Sequence, residues 1–359
     1  MKRIFNVAVV ALIAGAMAVS CLNGGKSMVT KGNSQLDTLS YAMGANLGEF
    51  VKTRIADIPF NFEKMDKGIE QGAFNKGKWS AEEAQEVFQS LIGPVNERFG
   101  QLMQQKQMAE QDSTFVAGEI EIFVSEGECD SLSYAYGLNI GHDLRQGRFP
   151  LQMKWYMKGF QQTRNDEAVM SADEVGEYLQ NFVMVVYPQQ QLEKSEAWLS
   201  KMEKKAGVQK SESGLLYKVV KEGDVSRSAT DDRDEVTVHY TGRDRDGEVF
   251  DSSIFENMPA QRQEMMRQYQ PDNFDEKGNI IENEPVTFPL NRVIKGWTEG
   301  MKLVGPGGKI ILYIPSELAY GPRGNQSIAP NAALEFEVEL IDVKAYQEPV
   351  VEPATETAE

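Results

Sequence analysis

The stretch VTVHYTGRDRDGEVFDSS, Val236 to Ser253, decides the fold of the second half of the chain. Its first residues alternate between apolar and polar, which is the period of a strand with one buried face, and Tyr240 falls on that face. Asp246-Gly247 is typical of a tight two-residue hairpin turn. We therefore expect the chain to return antiparallel, with Phe250 and Asp251 beside Tyr240.

The residues around this hairpin predict further strands and one short helix. Because strands outnumber helices, the helix must cover one face of the sheet. The predicted elements are strands at Ser213–Val220, Val286–Leu290, Lys309–Pro315 and Leu334–Val343, and a helix at about Ile294–Lys302.

The blocks VTVHYTG, DGEVFDSS, VIKGW (Val293 to Trp297) and AYG (Ala319 to Gly321) occur here in the order found in FKBP-type peptidyl-prolyl isomerases, which this part of the chain resembles. The resemblance covers about residues 206–343. It implies a curved antiparallel sheet wrapped on a short helix, and prolyl cis-trans isomerisation without cofactor or metal.

The resemblance also implies a pocket for proline, with Trp297 as its floor. Tyr320 and the Ile294 amide are expected to donate to the substrate carbonyl, and Asp251 to orient polar groups or to face the twisting carbonyl carbon. Val286 stands where many family members have an aromatic residue, so one wall is expected to be thinner. The residues expected to act in catalysis are Tyr240, Phe250, Asp251 and Tyr320, and those expected to bind substrate are Val286, Val293, Ile294, Trp297, Ile328 and Phe336.

The residues themselves favour a reaction that breaks no covalent bond. The sequence shows no Ser-His-Asp set, metal-ligand cluster or phosphate-binding loop, and its two histidines are His142 and His239. His239 alternates with Tyr240 and is interpreted as structural. Two alternatives to an isomerase remain. One is a holdase, which binds unfolded chains without catalysis, and the other is a purely structural lipoprotein.

Composition sets broad limits. The chain has 359 residues, 41% hydrophobic and 25% charged, which suits two or three domains with a sizeable core. Its net charge of −17 repels phosphate backbones, so we expect no nucleic-acid partner.

The N-terminus predicts export. MKRIFNVAVVALIAGAMAVSC has a basic start, a short apolar run and small residues before Cys21. Ala18-Val19-Ser20-Cys21 resembles a bacterial lipobox, which implies cleavage before Cys21, lipid attachment to it and a tether over residues 22–33. We expect anchoring in the cell envelope, on the outer membrane facing the periplasm. An ordinary secretory signal with an incidental cysteine is the alternative.

The first half contains a duplication. DTLSYAMGANLG, Asp37 to Gly48, returns as DSLSYAYGLNIG, Asp130 to Gly141, and each copy has the apolar spacing of an amphipathic helix. Glycines four residues apart in each copy predict close approach by a partner helix. The predicted boundaries are repeat A at 34–112, a connector at 113–128, repeat B at 129–205, and a disordered acidic tail at 344–359.

Each copy is predicted to contain three helices. Capping boxes begin at Ser80 and Ser171, and Pro94 and Pro188 predict a kink or break in the helix that follows each box. The copies resemble the dimerisation domain that precedes the catalytic domain in periplasmic FKBPs, where two chains interleave their helices. We therefore expect an intramolecular pseudo-dimer of the two repeats, with pairing to a second chain as the alternative.

A long insertion, residues 254–284, separates the hairpin from the strand at Val286. Met258 to Tyr269 has helical composition and is rich in methionine. Contact with unfolded polypeptides, the expected partners, and a solvated loop without a role are both open interpretations.

Overall fold

The computed structural model describes residues 34–112, 114–147 and 149–348. The chain forms two compact units, one ending at Phe182 and the other beginning at Val183, called here the helical unit and the sheet unit. The predicted α+β class, with an all-helical first half, is confirmed. Cys21, the predicted signal peptide and tether, and residues 349–359 of the predicted tail lie outside the described residues. Disorder does not begin at residue 344 as predicted, since Lys344 ends a strand and the Tyr346 amide donates to Asp234 Oδ1 at 2.8 Å.

The helical unit contains the same three-helix arrangement twice. Ser80 with Glu83 and Ser171 with Glu174 form the two predicted capping boxes, each serine accepting from the backbone amide of its glutamate. The helices are α1 Gln35–Arg54, α2 Phe62–Ala73, α3 Ala81–Gln111, α4 Glu126–Gln146, α5 Met153–Arg164 and α6 Ala172–Asn181.

The copies exchange partners, since α1 packs against α5 and α2 against α4. A Cβ built on Gly44 of α1 would lie 1.9 Å from the carbonyl oxygen of Tyr156, and one on Gly137 of α4 would lie 2.1 Å from that of Met65. Real Cβ atoms never come so close, so glycine is required for backbone contact. The predicted role of the paired glycines is confirmed.

A kink or break was predicted at each proline, and the helix is not broken at either one. Helix α3 runs unbroken through Pro94, whereas a π-helical turn at Phe182–Val186 precedes Pro188. After α6 the chain therefore passes through this turn into α7, Tyr187–Glu203, without the predicted break.

Helix α4 begins at Glu126, where Ser125 caps it, three residues before the predicted start of repeat B. Helix α7, predicted to belong to repeat B, belongs to the sheet unit because Trp198 meets Tyr313 edge to face at 5.7 Å. The connector remains without regular structure after Thr114 and runs beside α3, as Arg98 Nε donates to the Ile122 carbonyl at 2.7 Å.

The sheet unit is built on seven antiparallel strands. Their order is β1-β2-β6-β7-β3-β4, and β5 pairs with the same edge of β3 as β4. The strands are β1 Gln209–Lys210, β2 Leu216–Lys221, β3 Glu235–Asp244, β4 Val249–Ser252, β5 Val286–Pro289, β6 Gly308–Ile314 and β7 Leu334–Lys344.

The predicted hairpin is present, but its turn is one residue longer than expected. The Asp244 amide donates to the Glu248 carbonyl at 2.9 Å, which leaves three residues in the turn, and Gly247 has a φ of +91°. A three-residue turn needs its last residue in the left-handed region, and glycine adopts it without strain. The pair Asp246-Gly247 therefore marks the turn without giving its length.

One short helix in this unit covers the sheet, as predicted. Helix α9, Lys295–Gly300, follows β5 and packs on β6. A Cβ on Gly296 would lie 2.5 Å from Ile314 Cγ2, so the helix presses directly onto the strand. This position puts Trp297 into the core of the unit.

The insertion carries a helix where the sequence predicted one, α8 at Ala260–Tyr269. Within the ranges that the structure describes, no helix combines the length and apolar character needed to cross a bilayer.

Candidate active site

Tyr240 is fixed by the strand that follows it in the hairpin. Its hydroxyl donates to Asp251 Oδ2 at 2.6 Å, and its amide donates to Ser253 Oγ at 2.9 Å. Ser253 in turn donates its own amide to the Tyr240 carbonyl at 3.0 Å. His239, on the opposite face, contacts Ser253 Oγ through Nδ1 at 3.3 Å, in keeping with its structural interpretation.

Trp297 is surrounded by the edges of other rings. Its centroid lies 5.3 Å from those of Tyr240 and Phe336 and 5.9 Å from that of Phe288, with interplanar angles of 84° to 90°. Such edge-to-face pairs each contribute about 0.5–1.5 kcal/mol beyond burial. Phe250 meets Phe336 in the same way at 5.5 Å. We call these five side chains the aromatic cup.

The cup has a buried floor and a more exposed rim. Trp297 is only 4% exposed, and Tyr240, Phe336 and Ile328 are also buried. Phe250, Val293 and Ile294 are half-buried and pack against this core. Tyr320 is 38% exposed, so it lies at the surface of the site.

Gly242 makes room for the rings. It lies opposite Phe336 in the register of β3 and β7. A Cβ on Gly242 would lie 2.7 Å from the Phe336 ring and 2.8 Å from the Phe250 ring. Any larger residue would displace one wall of the cup.

Two hydrogen-bond donors remain free at the site within the described residues. The Ile294 amide precedes α9, and no protein acceptor there takes its hydrogen. The Tyr320 hydroxyl likewise has no protein partner there. Burial, and secondarily the charge of Asp251, raise the pKa of Tyr320, so its hydroxyl stays protonated at neutral pH and can donate.

Burial also raises the pKa of Tyr240, and its hydrogen bond to Asp251 acts in the same direction. The Tyr240 proton is therefore held firmly between the two side chains. Asp251 also forms an ion pair with Arg262 of α8. Its carboxylate thus has a partner on each oxygen.

The structure brings together most of the predicted site residues and adds three. Phe288, two residues after Val286, meets Trp297 and Tyr240 with its ring. Val286 pairs with Val238 and packs against the core at the edge of the sheet. Arg262 and Gly242 were not predicted as site residues. Alternation along β5 and β3 could have identified Phe288 and Gly242, but it gives no indication of Arg262.

Known proteins share both parts of this arrangement. The family model for FKBP-type peptidyl-prolyl cis-trans isomerase matches residues 226–341. The model for the domain amino terminal to FKBP-type peptidyl-prolyl isomerase matches twice, at residues 36–120 and 129–219, which confirms the duplication.

Several curated relatives are similar over long stretches. The probable FKBP-type peptidyl-prolyl cis-trans isomerase FkpA of Neisseria meningitidis serogroup B is 34% identical over 241 residues, which is 62% of this chain and 77% of the relative. FkpA of Escherichia coli K12 is 34% identical over 229 residues, 59% of this chain and 74% of the relative. The crystal structure of FkpA from Escherichia coli covers 54% of this chain and 83% of its own, at 35% identity and a TM-score of 0.36.

The two family models, the long stretch of shared sequence and the geometry of the cup support the same family assignment. The chain belongs to the FKBP-type peptidyl-prolyl cis-trans isomerase family.

Proposed function

We propose that this protein catalyses cis-trans isomerisation of X-Pro bonds in unfolded polypeptides and thereby assists folding of exported proteins. The observation that carries the proposal is the aromatic cup, with Trp297 held by three ring edges and two free donors beside it. A proline ring is an apolar disc that suits such a cup.

The reaction needs stabilisation of a twisted amide and no acid or base. The barrier to rotation is about 18–20 kcal/mol because twisting removes amide resonance. The planar amide is more polar than the twisted one, so an apolar cup destabilises the planar form more. Each reduction of the barrier by about 1.4 kcal/mol raises the rate tenfold.

The free donors hold the substrate while the bond turns. The Ile294 amide and the Tyr320 hydroxyl can bind carbonyl oxygens on either side of the proline. Asp251 keeps Tyr240 oriented, since it accepts the tyrosine hydroxyl at 2.6 Å.

A protease-coupled assay with a proline tetrapeptide tests this function. We expect the wild type to accelerate isomerisation and Tyr320→Phe to lower kcat/KM by about five- to tenfold, the effect of one hydrogen bond. Tyr217→Phe is the matched control, because this tyrosine lies on β2 and donates to Gln209. A wild type that does not exceed the spontaneous rate would favour the holdase instead.

The holdase alternative has less support. A holdase would have a pocket that has lost useful catalysis. The residues expected to act in catalysis nevertheless occur together around one site: Tyr240, Phe250, Asp251, Trp297 and Tyr320. Family membership points the same way.

We also propose that the two repeats form a pseudo-dimer within one chain. The support is reciprocal packing, in which Gly68 approaches the Tyr134 carbonyl and its counterpart Gly159 approaches that of Tyr41. Light scattering of the lipid-free protein is expected to give the mass of a monomer. A tight homodimer formed through the helical unit would contradict this.

Membrane attachment is a further part of the proposal and rests on the sequence before residue 34. We propose that Cys21 carries lipid and holds the protein on the outer membrane, facing the periplasm. Metabolic labelling with an alkyne fatty acid is expected to mark the wild type and not Cys21→Ser. Processing of the wild type without label would instead indicate an ordinary secretory signal.

A further inference from the structure

The insertion is a folded element with its own small core. The rings of Phe255 and Phe274 meet edge to face at 5.0 Å. The guanidinium of Arg267 lies 5.0 Å and 5.2 Å from their centroids and donates to the Gly278 carbonyl at 2.8 Å. Gln263 adds bonds of 3.0 Å to the Phe255 and Met258 carbonyls. A solvated loop without a role would not be organised in this way.

Helix α8 presents two different faces. Gln263 and Arg267, four residues apart, face the core of the insertion. Arg262, Met265 and Tyr269 lie on a neighbouring stripe, since residues three, four and seven apart share one side of a helix. Met265 is 53% exposed and Tyr269 is 71% exposed. We call these three residues the α8 stripe.

One end of the α8 stripe is joined to the active site. Arg262 pairs with Asp251, and Asp251 accepts the hydroxyl of Tyr240 in the cup. Arg262 thus fixes one end of the stripe beside the cup, and Met265 and Tyr269 follow on the same side of the helix. A helix rises about 1.5 Å per residue, so Tyr269 lies about 10 Å along the axis from Arg262.

The small area of the α8 stripe limits the kind of molecule that can bind to it. A stable protein dimer buries about 1,200–2,000 Å². Two exposed side chains supply a small part of that area, because even a large aromatic buries only about 150–250 Å². An extended polypeptide spans about 3.3–3.6 Å per residue, so 10 Å corresponds to about three residues. Counted from Arg262, whose partner Asp251 belongs to the site, this is the length of a segment that flanks a bound proline.

We infer that the α8 stripe is a second subsite of the isomerase, which binds apolar side chains of an unfolded polypeptide about three residues from the proline. The inference rests on the proposed function. The subsite has Met265 and Tyr269 as its contacts, and methionine and tyrosine adapt to many apolar partners. It gives long unfolded chains an advantage over peptides too short to reach it.

The double variant Met265→Ser/Tyr269→Ser tests the subsite. Both residues are exposed on a helix surface, so the variant keeps the fold and the cup. We expect kcat/KM for a proline tetrapeptide to stay within twofold of the wild type. We expect catalysed refolding of a proline-limited protein to fall about tenfold.

Val220→Ser/Val225→Ser is the matched control. These two valines are 52% and 56% exposed in the same unit but lie outside the insertion. The control is expected to keep both activities. Loss of refolding activity in the control as large as in the double variant would overturn the subsite.

Other outcomes separate the subsite from the proposed function. An unchanged refolding activity in the double variant, or an equal loss on the tetrapeptide, would overturn the subsite while the isomerase stands. A wild type inactive on the tetrapeptide would instead refute the proposed function, and the subsite with it.

A peptide series gives the position of the subsite. A single leucine is moved from one to five residues away from the proline in an otherwise polar peptide. We expect wild-type kcat/KM to peak with the leucine about three residues away, and the peak to disappear in the double variant. A profile that is identical in the two proteins would contradict the inference.

Discussion

The helix interfaces of the helical unit and the active site of the sheet unit use glycine for different purposes. Gly44 and Gly137 let helix backbones touch, whereas Gly242 keeps a space that two aromatic rings fill. The two units also differ in their buried polar groups. Among the described residues, the buried side-chain nitrogens and oxygens without a hydrogen-bond partner all belong to the helical unit, on Gln105, His142, Thr163 and Arg164.

This difference shows what each unit is optimised for. Each unpaired buried group costs about 1–3 kcal/mol, so these four residues weaken the helical unit. The sheet unit pairs its buried polar side chains and leaves its free donors at the exposed rim of the cup. Stability of the body and activity of the site should therefore respond to different mutations.

The largest effect is expected from Gly137→Ala. The new Cβ would lie 2.1 Å from the Met65 carbonyl oxygen, so α2 and α4 must separate. We expect a loss of about 3 kcal/mol in the free energy of unfolding of the helical unit, measured by urea denaturation. Tetrapeptide isomerisation should persist.

Gly176→Ala is the control for that variant. Gly176 lies in α6 and has no atom within 4 Å of its Cβ position, so alanine should stabilise the helix by up to about 1 kcal/mol. Equal stabilities of the two alanine variants would contradict the close contact of α2 with α4.

Trp297→Leu should have the opposite pattern, a loss of activity without a loss of stability in the helical unit. It removes the floor of the cup and its three edge-to-face contacts, so we expect kcat/KM for the tetrapeptide to fall at least tenfold, about 1.4 kcal/mol. The unfolding transition of the helical unit should not move. Trp198→Leu, which removes a ring contact to Tyr313 on β6, should destabilise the sheet unit without this loss of activity. Equal activity losses would show that Trp297 acts through stability alone.

A smaller effect is expected from pH. Burial, assisted by the charge of Arg145, lowers the pKa of His142 below its ordinary value of 6.5. The folded helical unit therefore binds fewer protons than the unfolded chain, and the stability present above about pH 6.5 is lost as pH falls through the folded pKa. Each unit of pKa difference corresponds to about 1.4 kcal/mol.

His142→Leu should remove this dependence between pH 7 and pH 5, as measured by urea denaturation at each pH. Burial raises the pKa of the neighbouring Asp143, which has the opposite effect and stays in both proteins. The difference between variant and wild type thus isolates the histidine. Parallel pH profiles of the two proteins would show that His142 does not titrate on unfolding.

The smallest effect is expected from Thr163→Ala. Thr163 is the counterpart of Gly72, and its buried hydroxyl has no partner. Alanine keeps the Cβ and removes the unpaired group, so the helical unit should gain about 1 kcal/mol. Gly72→Ala should instead destabilise it, since its Cβ would lie 2.4 Å from the Leu138 carbonyl oxygen. A loss of stability in Thr163→Ala would indicate that the hydroxyl has a partner in solution.

The sequence predicted what depends on short-range pattern. Alternation predicted β3 and the inward direction of Tyr240, and glycine spacing predicted the contacts of α1 and α4. The length of the turn before Glu248 was predicted wrongly, and α3 is not broken at Pro94. Turn length depends on how the strands close, and a proline is tolerated in a helix whose surroundings compensate for one lost hydrogen bond.

The rest of the site depends on contacts between distant residues. Arg262 reaches Asp251 from a helix inside an insertion, and no spacing in the sequence connects the two. This ion pair is a result of tertiary packing, which a local pattern does not contain. Phe288 differs, because alternation along β5 already puts it on the same face as Val286.

The pairing of α1 with α5 and of α2 with α4 has a consequence for dilution. Two separate chains lose each other when their concentration falls below the dissociation constant, but segments of one chain face each other at an effective concentration in the millimolar range. If the two repeats pair within one chain, as proposed above, the helical body should stay assembled at any copy number and should carry one catalytic domain instead of two. A client that displays several prolines would then be processed one bond at a time, without gain from simultaneous binding at a twin site.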